Sequence, residues 1–247
     1  MLPGAAGHRL LLAQLDLIAD NLGNLRDEQG RSIPVVFHPW PQANAGHYWW
    51  GSSRCTAEEY IRLFRCTVTH LRDERRVRNF LYAYAPAVSR VFPHTLERYP
   101  GHAYVDVVGV EAYTELGAEH QARLIDHLRQ LVPFAEANGK VAAITTLGFK
   151  KSNREWGLAH CPEPTWLTEQ LLAPLKSDPV ARRISYMVFG PNDALNPEVY
   201  HLAHPGSPHE DDLIEACAEP LLVLGDRVDG IYGRGLEAVA TGGEDLA

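Results

Sequence analysis

The chain has 247 residues, 45% hydrophobic and 22% charged, with a formal net charge of −8. That length suits one large domain or two small ones, and the composition suits an ordinary globular chain. The acidic balance, with both signs interspersed, argues against a nucleic-acid partner, which needs a basic face. No apolar run reaches the length of a membrane span, so no membrane partner is expected.

Helical and strand-like segments alternate along the chain. Helical spacing of Leu11, Leu15, Ile18 and Leu22 predicts a helix over Arg9–Asp27. That spacing, with Asp16 and Asp20 between, does not read as a signal peptide, so the compartment stays open. A strand is expected at Ile33–His38, then a helix over Thr56–Arg72. In this helix Thr56 and Glu59 have the spacing of a capping box. Strands are expected at Asn79–Tyr84 and Tyr104–Gly109, and a long amphipathic helix over Ala118–Asn138, closed by Gly139. A strand at Lys140–Thr145, a helix over Trp166–Ser177 and a strand at Ile184–Phe189 complete the alternation. Residues 1–224 read as a single α/β domain, and the Gly-rich acidic segment 225–247 as a partly disordered tail. Short continuous apolar strands suit a parallel sheet buried on both faces, either a barrel or a doubly wound sheet. The loops after the strands are long and aromatic, as at the active face of a barrel. No GxGxxG or GxxxxGK[ST] supports a nucleotide fold.

Cys55, Cys66, Cys161 and Cys217 form no CxxC pair, so a zinc knuckle or redox motif is not expected. Reduced, mostly buried thiols are the simplest reading, with one disulfide left open. His201, His204 and His209, with Glu210, Asp211 and Asp212, have the residue types of a metal site. Their spacing fits no standard ligand set, and Pro205 and Pro208 interrupt any helix there, so no metal or other cofactor is expected.

The stretch "PVVFHPWPQANAGHYWWG" from Pro34 to Gly51 concentrates aromatics and amides after the first strand. Trp40, Trp49 and Trp50 read either as a sugar platform or as core aromatics wedging the loop, with the core reading favoured for Trp50. His47 and Tyr48 read as sugar contacts. Gln42 and Asn44 read as hydroxyl ligands or as groups satisfying loop backbone.

This stretch, followed in order by "NFLYAY", "ERYPGHAYVDVVGVEAY", "LVPFAEANGKVAAITTLG" and "RRISYMVFGPNDA", resembles glycoside hydrolase family 26, the β-mannanase family. The resemblance runs from about Leu10 to Leu213. It implies a partial (β/α) TIM-type barrel corresponding to strands four to eight, with the first three units lacking a counterpart. Five strands cannot close a hydrogen-bond ladder, so the open edges predict self-association. Retaining glycosidases use two carboxyl groups about 5–5.5 Å apart. The resemblance places the acid/base glutamate at Gln42 and the nucleophile at Thr146. The substrate-binding histidine before the acid aligns with Pro41, and the eighth-strand sugar-stacking tryptophan with Gly190. The sixth-strand Asp-x-Tyr aligns with Glu111-Ala112-Tyr113, which keeps the tyrosine. An amide has the shape of a carboxylic acid but no titratable proton. A threonine nucleophile needs a base beside it, and none is evident.

The expected function is therefore a non-hydrolytic relative that binds a β-linked polysaccharide such as mannan. Its expected substrate contacts are Trp40, Gln42, Asn44, His47, Tyr48, Trp49 and Tyr113. One rival is an active endo-β-mannanase with relocated carboxylates, Glu111 first among them. The other is a structural protein or remnant with no ligand. The family is usually exported.

Overall fold

The computed structural model describes residues 6–88, 93–114, 117–151, 155–193 and 199–225. The expectation of a disordered tail falls, from residue 226 onward, outside the described residues.

Helix α1 (Ala6–Leu22) turns Leu11, Leu15 and Ala19 inward at helical spacing. It stops at Leu22 and does not run to Asp27. The Asp27 side chain instead accepts the N–H groups of Gln29 and Arg31, an Asx-type turn that competes with the helix. Strand β1 (Val35–Phe37) follows, and His38 lies just beyond its end. Helix α2 (Ala57–Val68) starts at Thr56 with the expected capping box. It then widens into a π-helical turn, Thr69–Glu74. There the ring nitrogens of His70 each lie 2.7 Å from a carboxylate oxygen, one of Asp16 and one of Glu74. Both nitrogens can donate only from the protonated ring. With Arg75 2.8 Å from Asp16, this clamp ties α1 to α2.

Strand β2 (Phe80–Tyr84) leads through the short helix α3 (Pro93–Leu96) to strand β3 (Val107–Thr114). Strand β3 corrects the expectation of Tyr104–Gly109: Tyr104 belongs to a 3-10 turn, and the strand continues to Thr114. Glu111 and Tyr113 therefore stand on the strand itself. Helix α4 (Ala118–Ala137) matches its expected span closely. Strand β4 (Val141–Phe149) runs four residues past the expected end at Thr145, because β3 pairs with it throughout. The expected helix over Trp166–Ser177 is a π-helix, Trp166–Leu172, continuing into α5 (Ala173–Ser177). Strand β5 (Tyr186–Phe189) and a helix not foreseen from sequence, α6 (Glu210–Ala218), complete the order. Pro205 and Pro208 both precede α6, so neither interrupts it.

The five strands pair in chain order, all parallel, and form a partial (β/α) barrel. Outward residues such as Tyr82, Tyr84, Val108, Val110 and Ile144 join the main core with Phe64, Val68, Leu128 and Leu131 of the helices. On the inner face Ala83, Val107 and Ala143 form a small separate layer against Tyr186. Below and beside that layer the inner face is open: Val36 is 47%, Leu81 43% and Val188 48% exposed. Among the described residues strands β1 and β5 each pair on one side only.

Phe64 is fully buried between α2 and the sheet, so Phe64→Ala removes a ring from a packed core. Urea unfolding followed by circular dichroism should show a loss of about 3–5 kcal/mol. Thr56→Ala, which breaks only the cap, should cost about 1 kcal/mol. The reverse order of the two effects would contradict the packing described.

Candidate carbohydrate site

The loop after β1 is held in an uncommon backbone conformation. Trp40 has φ 54° and Gln42 has φ 51°, both in the left-handed region. A non-glycine residue there costs on the order of 1–3 kcal/mol unless the surroundings enforce it. Here they do. Tyr60 Oη donates to the Trp40 carbonyl at 2.8 Å, and Trp50 Nε1 donates to the Pro41 carbonyl at 2.8 Å. The Gln42 N–H donates to the Ala85 carbonyl at 3.2 Å, across to the chain after β2. Ala43, between them, is buried.

The aromatics of this loop divide into two groups. Trp40 donates from Nε1 to Thr67 Oγ1 at 3.0 Å and packs edge-on against Trp49 and Trp50, each centroid 5.4 Å away. With Trp49 it borders an apolar groove beside Leu10 and Leu11 of α1. Trp50 stacks on Tyr48 at 4.4 Å, the planes 8° apart, which makes it a wedge for the loop. Asn44 binds the backbone of Ala87 twice, accepting from its N–H and donating to its carbonyl, both at 2.8 Å. Its amide ties the β1 loop to the β2 loop.

Gln42 and His47 face a cleft that the C-terminal ends of four successive strands assemble. Its walls are Gln42 and His47 after β1, Ala87 and Val88 after β2, Glu111 and Tyr113 on β3, and Lys150 and Trp156 after β4. The space they enclose is about 490 Å³. Among the described residues the cleft has one carboxylate, Glu111, which is 6% exposed. Gln42 Nε2 donates to Glu111 Oε2 at 2.6 Å. His38 Nδ1 lies 3.8 Å from Glu111 Oε1. Burial pushes the His38 ring down to about 4, so this contact involves a neutral imidazole at neutral pH. Burial also raises the Glu111 carboxyl above its ordinary value, while the Gln42 amide pulls it back. Burial and the Glu111 charge together raise the Tyr113 hydroxyl.

Thr146 pairs in register with Glu111 and is not one of the residues lining the cleft. Sequence reasoning missed Lys150 and Trp156, whose ammonium–ring separation is 4.7 Å. A lysine followed six residues later by a tryptophan is no motif, and only the β4 exit brings them together. His38 was also missed, although its place at the β1 end was the available signal. His201, His204 and His209 pack against aromatic rings, the last two against Tyr200. His201 packs against the Tyr113 ring at 5.6 Å. It also fills the space over two bare glycines: a Cβ at Gly148 would meet its Nδ1 at 2.6 Å, and one at Gly190 its Cδ2 at 2.7 Å. His209 lies against Tyr200, and the His204 ring meets the Pro205 carbonyl. The Asp212 carboxylate accepts from the Leu167 and Thr168 N–H groups, capping the π-helix. Among the described residues no three His, Cys, Asp or Glu side chains come together as a metal-ligand group. All four cysteines are free thiols.

Parallel strands whose C-terminal ends carry the polar and aromatic lining define a segment of a (β/α) barrel of the enzyme type. The chain belongs to glycosyl hydrolase family 26, whose profile matches residues 1–166. It is 32% identical over 155 residues to the mannan endo-1,4-β-mannosidase of Bifidobacterium adolescentis, covering 60% of this chain and 16% of that protein. Among solved structures it is similar to an endo-β-1,4-mannanase of Cellulomonas fimi, with TM-score 0.84 and 34% identity over 93% of this chain and 50% of that one. A GH26 β-mannanase of Bacteroides ovatus gives TM-score 0.78 and 29% identity, covering 90% and 61%. The chain thus spans about half the length of the solved C. fimi chain and a smaller share of the Bifidobacterium protein.

A carbon-13 NMR titration of the Glu111 carboxyl should give a midpoint above 4.5, and Gln42→Leu should raise it further by removing the amide donor. A carboxyl raised on folding lowers stability as pH climbs from its unfolded value through the folded one. Glu111→Gln should therefore flatten the pH dependence of thermal unfolding over that window.

Proposed function

We propose that the chain is a mannanase-like domain that binds a β-linked saccharide at the strand ends without hydrolysing it. The observation that carries this reading is the Gln42–Glu111 hydrogen bond of 2.6 Å. By the family resemblance Gln42 occupies the acid/base position, and its amide points a donor at the Glu111 carboxylate. An amide cannot deliver a proton to a leaving oxygen. Thr146, at the nucleophile's position, pairs across the strands with Glu111 but makes no side-chain hydrogen bond to a base among the described residues. What the cleft retains suits binding. Tyr113, Trp156 and His47 offer ring surfaces to the C–H faces of a pyranose, and Gln42, Glu111 and Lys150 offer donors and acceptors to its hydroxyls. The similar Bifidobacterium protein is a mannan endo-1,4-β-mannosidase, which makes β-mannan the first ligand to try.

A second reading, hydrolysis with Glu111 as general acid, draws support from its raised pKa. Among the described residues lining the cleft Glu111 is the one carboxylate, whereas either stereochemical course uses two, roughly 5–9.5 Å apart.

Isothermal titration with mannotetraose should show binding, weakened about tenfold or less in Tyr113→Ala, the loss expected for one ring contact of about 1 kcal/mol. No heat at millimolar ligand would sink the binding claim. Reducing-sugar release from a panel of β-glycans should stay at the buffer level. Release abolished by Glu111→Gln would establish the second reading instead.

A further inference from the structure

We propose that the saccharide bound in the cleft carries an amine, whose ammonium seats against the Glu111 carboxylate. This inference rests on the saccharide-binding reading and names the class of sugar.

Glu111 is among the most buried carboxylates of the protein, at 6% exposure. A carboxylate so far from water is costly unless a positive group faces it. None does. From β1 comes His38, held neutral by burial, at 3.8 Å. From the β1 loop come the neutral amide of Gln42 and the uncharged Tyr48. From α2 comes the buried hydroxyl of Tyr60, and from β3 itself that of Tyr113. The cleft's one lysine among the described residues, Lys150, sits 4.7 Å over the Trp156 ring and makes no ion pair with Glu111. Gln42 satisfies one carboxylate oxygen with a hydrogen bond and leaves the charge uncompensated.

A sugar hydroxyl would add another dipole. An ammonium adds the missing charge, and a charge-assisted hydrogen bond is about twice as strong as a neutral one. The surrounding rings favour the same choice. Aromatic faces attract ammonium groups, and this cleft already holds one in that way, Lys150 over Trp156. Tyr113 and His47 remain as aromatic walls for the ligand's own amine. A β-linked chain of 2-amino-2-deoxy hexose is the ligand class with this chemistry and the extended shape of a β-glycan.

The test compares three tetrasaccharides by isothermal titration: β-1,4-linked glucosamine, its N-acetylated form, and mannotetraose. The pH is about 6, below the range of an ordinary α-amine. The glucosamine tetramer should bind roughly tenfold more tightly than either neutral one. Glu111→Gln keeps the shape and removes the charge, so the preference should shrink to about twofold or less. Lys150→Met removes the competing cation and should widen the preference. If mannotetraose binds and the amine gives no advantage, the amine inference falls and saccharide binding stands. If no tetramer binds, both fall. An advantage that survives Glu111→Gln would mean attraction to the acidic surface at large, and would also overturn the assignment.

Discussion

A parallel sheet has to be covered on both faces and paired at both edges, and the architecture follows from how far this chain meets that demand. Helices meet it on the outer face, where Phe64, Leu128 and Leu131 lie against Tyr84, Val108 and Ile144. Chain-order pairing curls the sheet, so the inner face is covered only along a thin layer of Ala83, Val107, Ala143 and Tyr186. Small side chains suit that layer, because inward residues of a curled sheet converge. Beyond it the inner valines and Leu81 meet water, and among the described residues β1 and β5 keep unpaired sides. The same curl draws the C-terminal ends of β1 to β4 together, and those ends build the cleft.

Within the cleft, Gln42 and Glu111 form one chemical unit. Two carboxylates 2.6 Å apart would have to share a proton. An amide and a carboxylate at that distance do not, and they form a hydrogen bond at neutral pH. The glutamate side chain at 111 is long enough to span to the amide. The left-handed conformation of Gln42, enforced by Tyr60, Trp50 and Ala85, aims that amide. His201 plays a related part on the far side. It occupies the volume above the side-chain-free Gly190 and backs the Tyr113 ring. Gln42 and Glu111 are thus hydrogen-bonded to each other, and the space over Gly190 is filled by His201.

Sequence periodicity located every strand and most helices, because outward strand residues and inward helix faces obey fixed spacings. It failed at ends. The strands β3 and β4 continue past their apolar runs through Glu111, Tyr113 and Thr146, and ladder hydrogen bonds carry them where hydrophobicity does not. The π-helical turns at Thr69–Glu74 and Trp166–Leu172 were hidden for a similar reason: each depends on a distant carboxylate, Asp16 in one case and Asp212 in the other. Helix α6 was obscured by two prolines that prove to lie before it.

The sequence by itself determined the family, the parallel α/β order and the capping box at Thr56. These are local or collinear properties, legible one segment at a time. The tertiary structure alone decided which of the polar and aromatic residues share a site. It turned Asn44 toward Ala87 and Trp40 toward Thr67, and it brought in His38, Lys150 and Trp156. It also set Gln42 against Glu111, 69 residues apart in the chain. That contact exists because the loop after β1 reaches past the end of β2 to meet β3, a constraint no spacing along the sequence records.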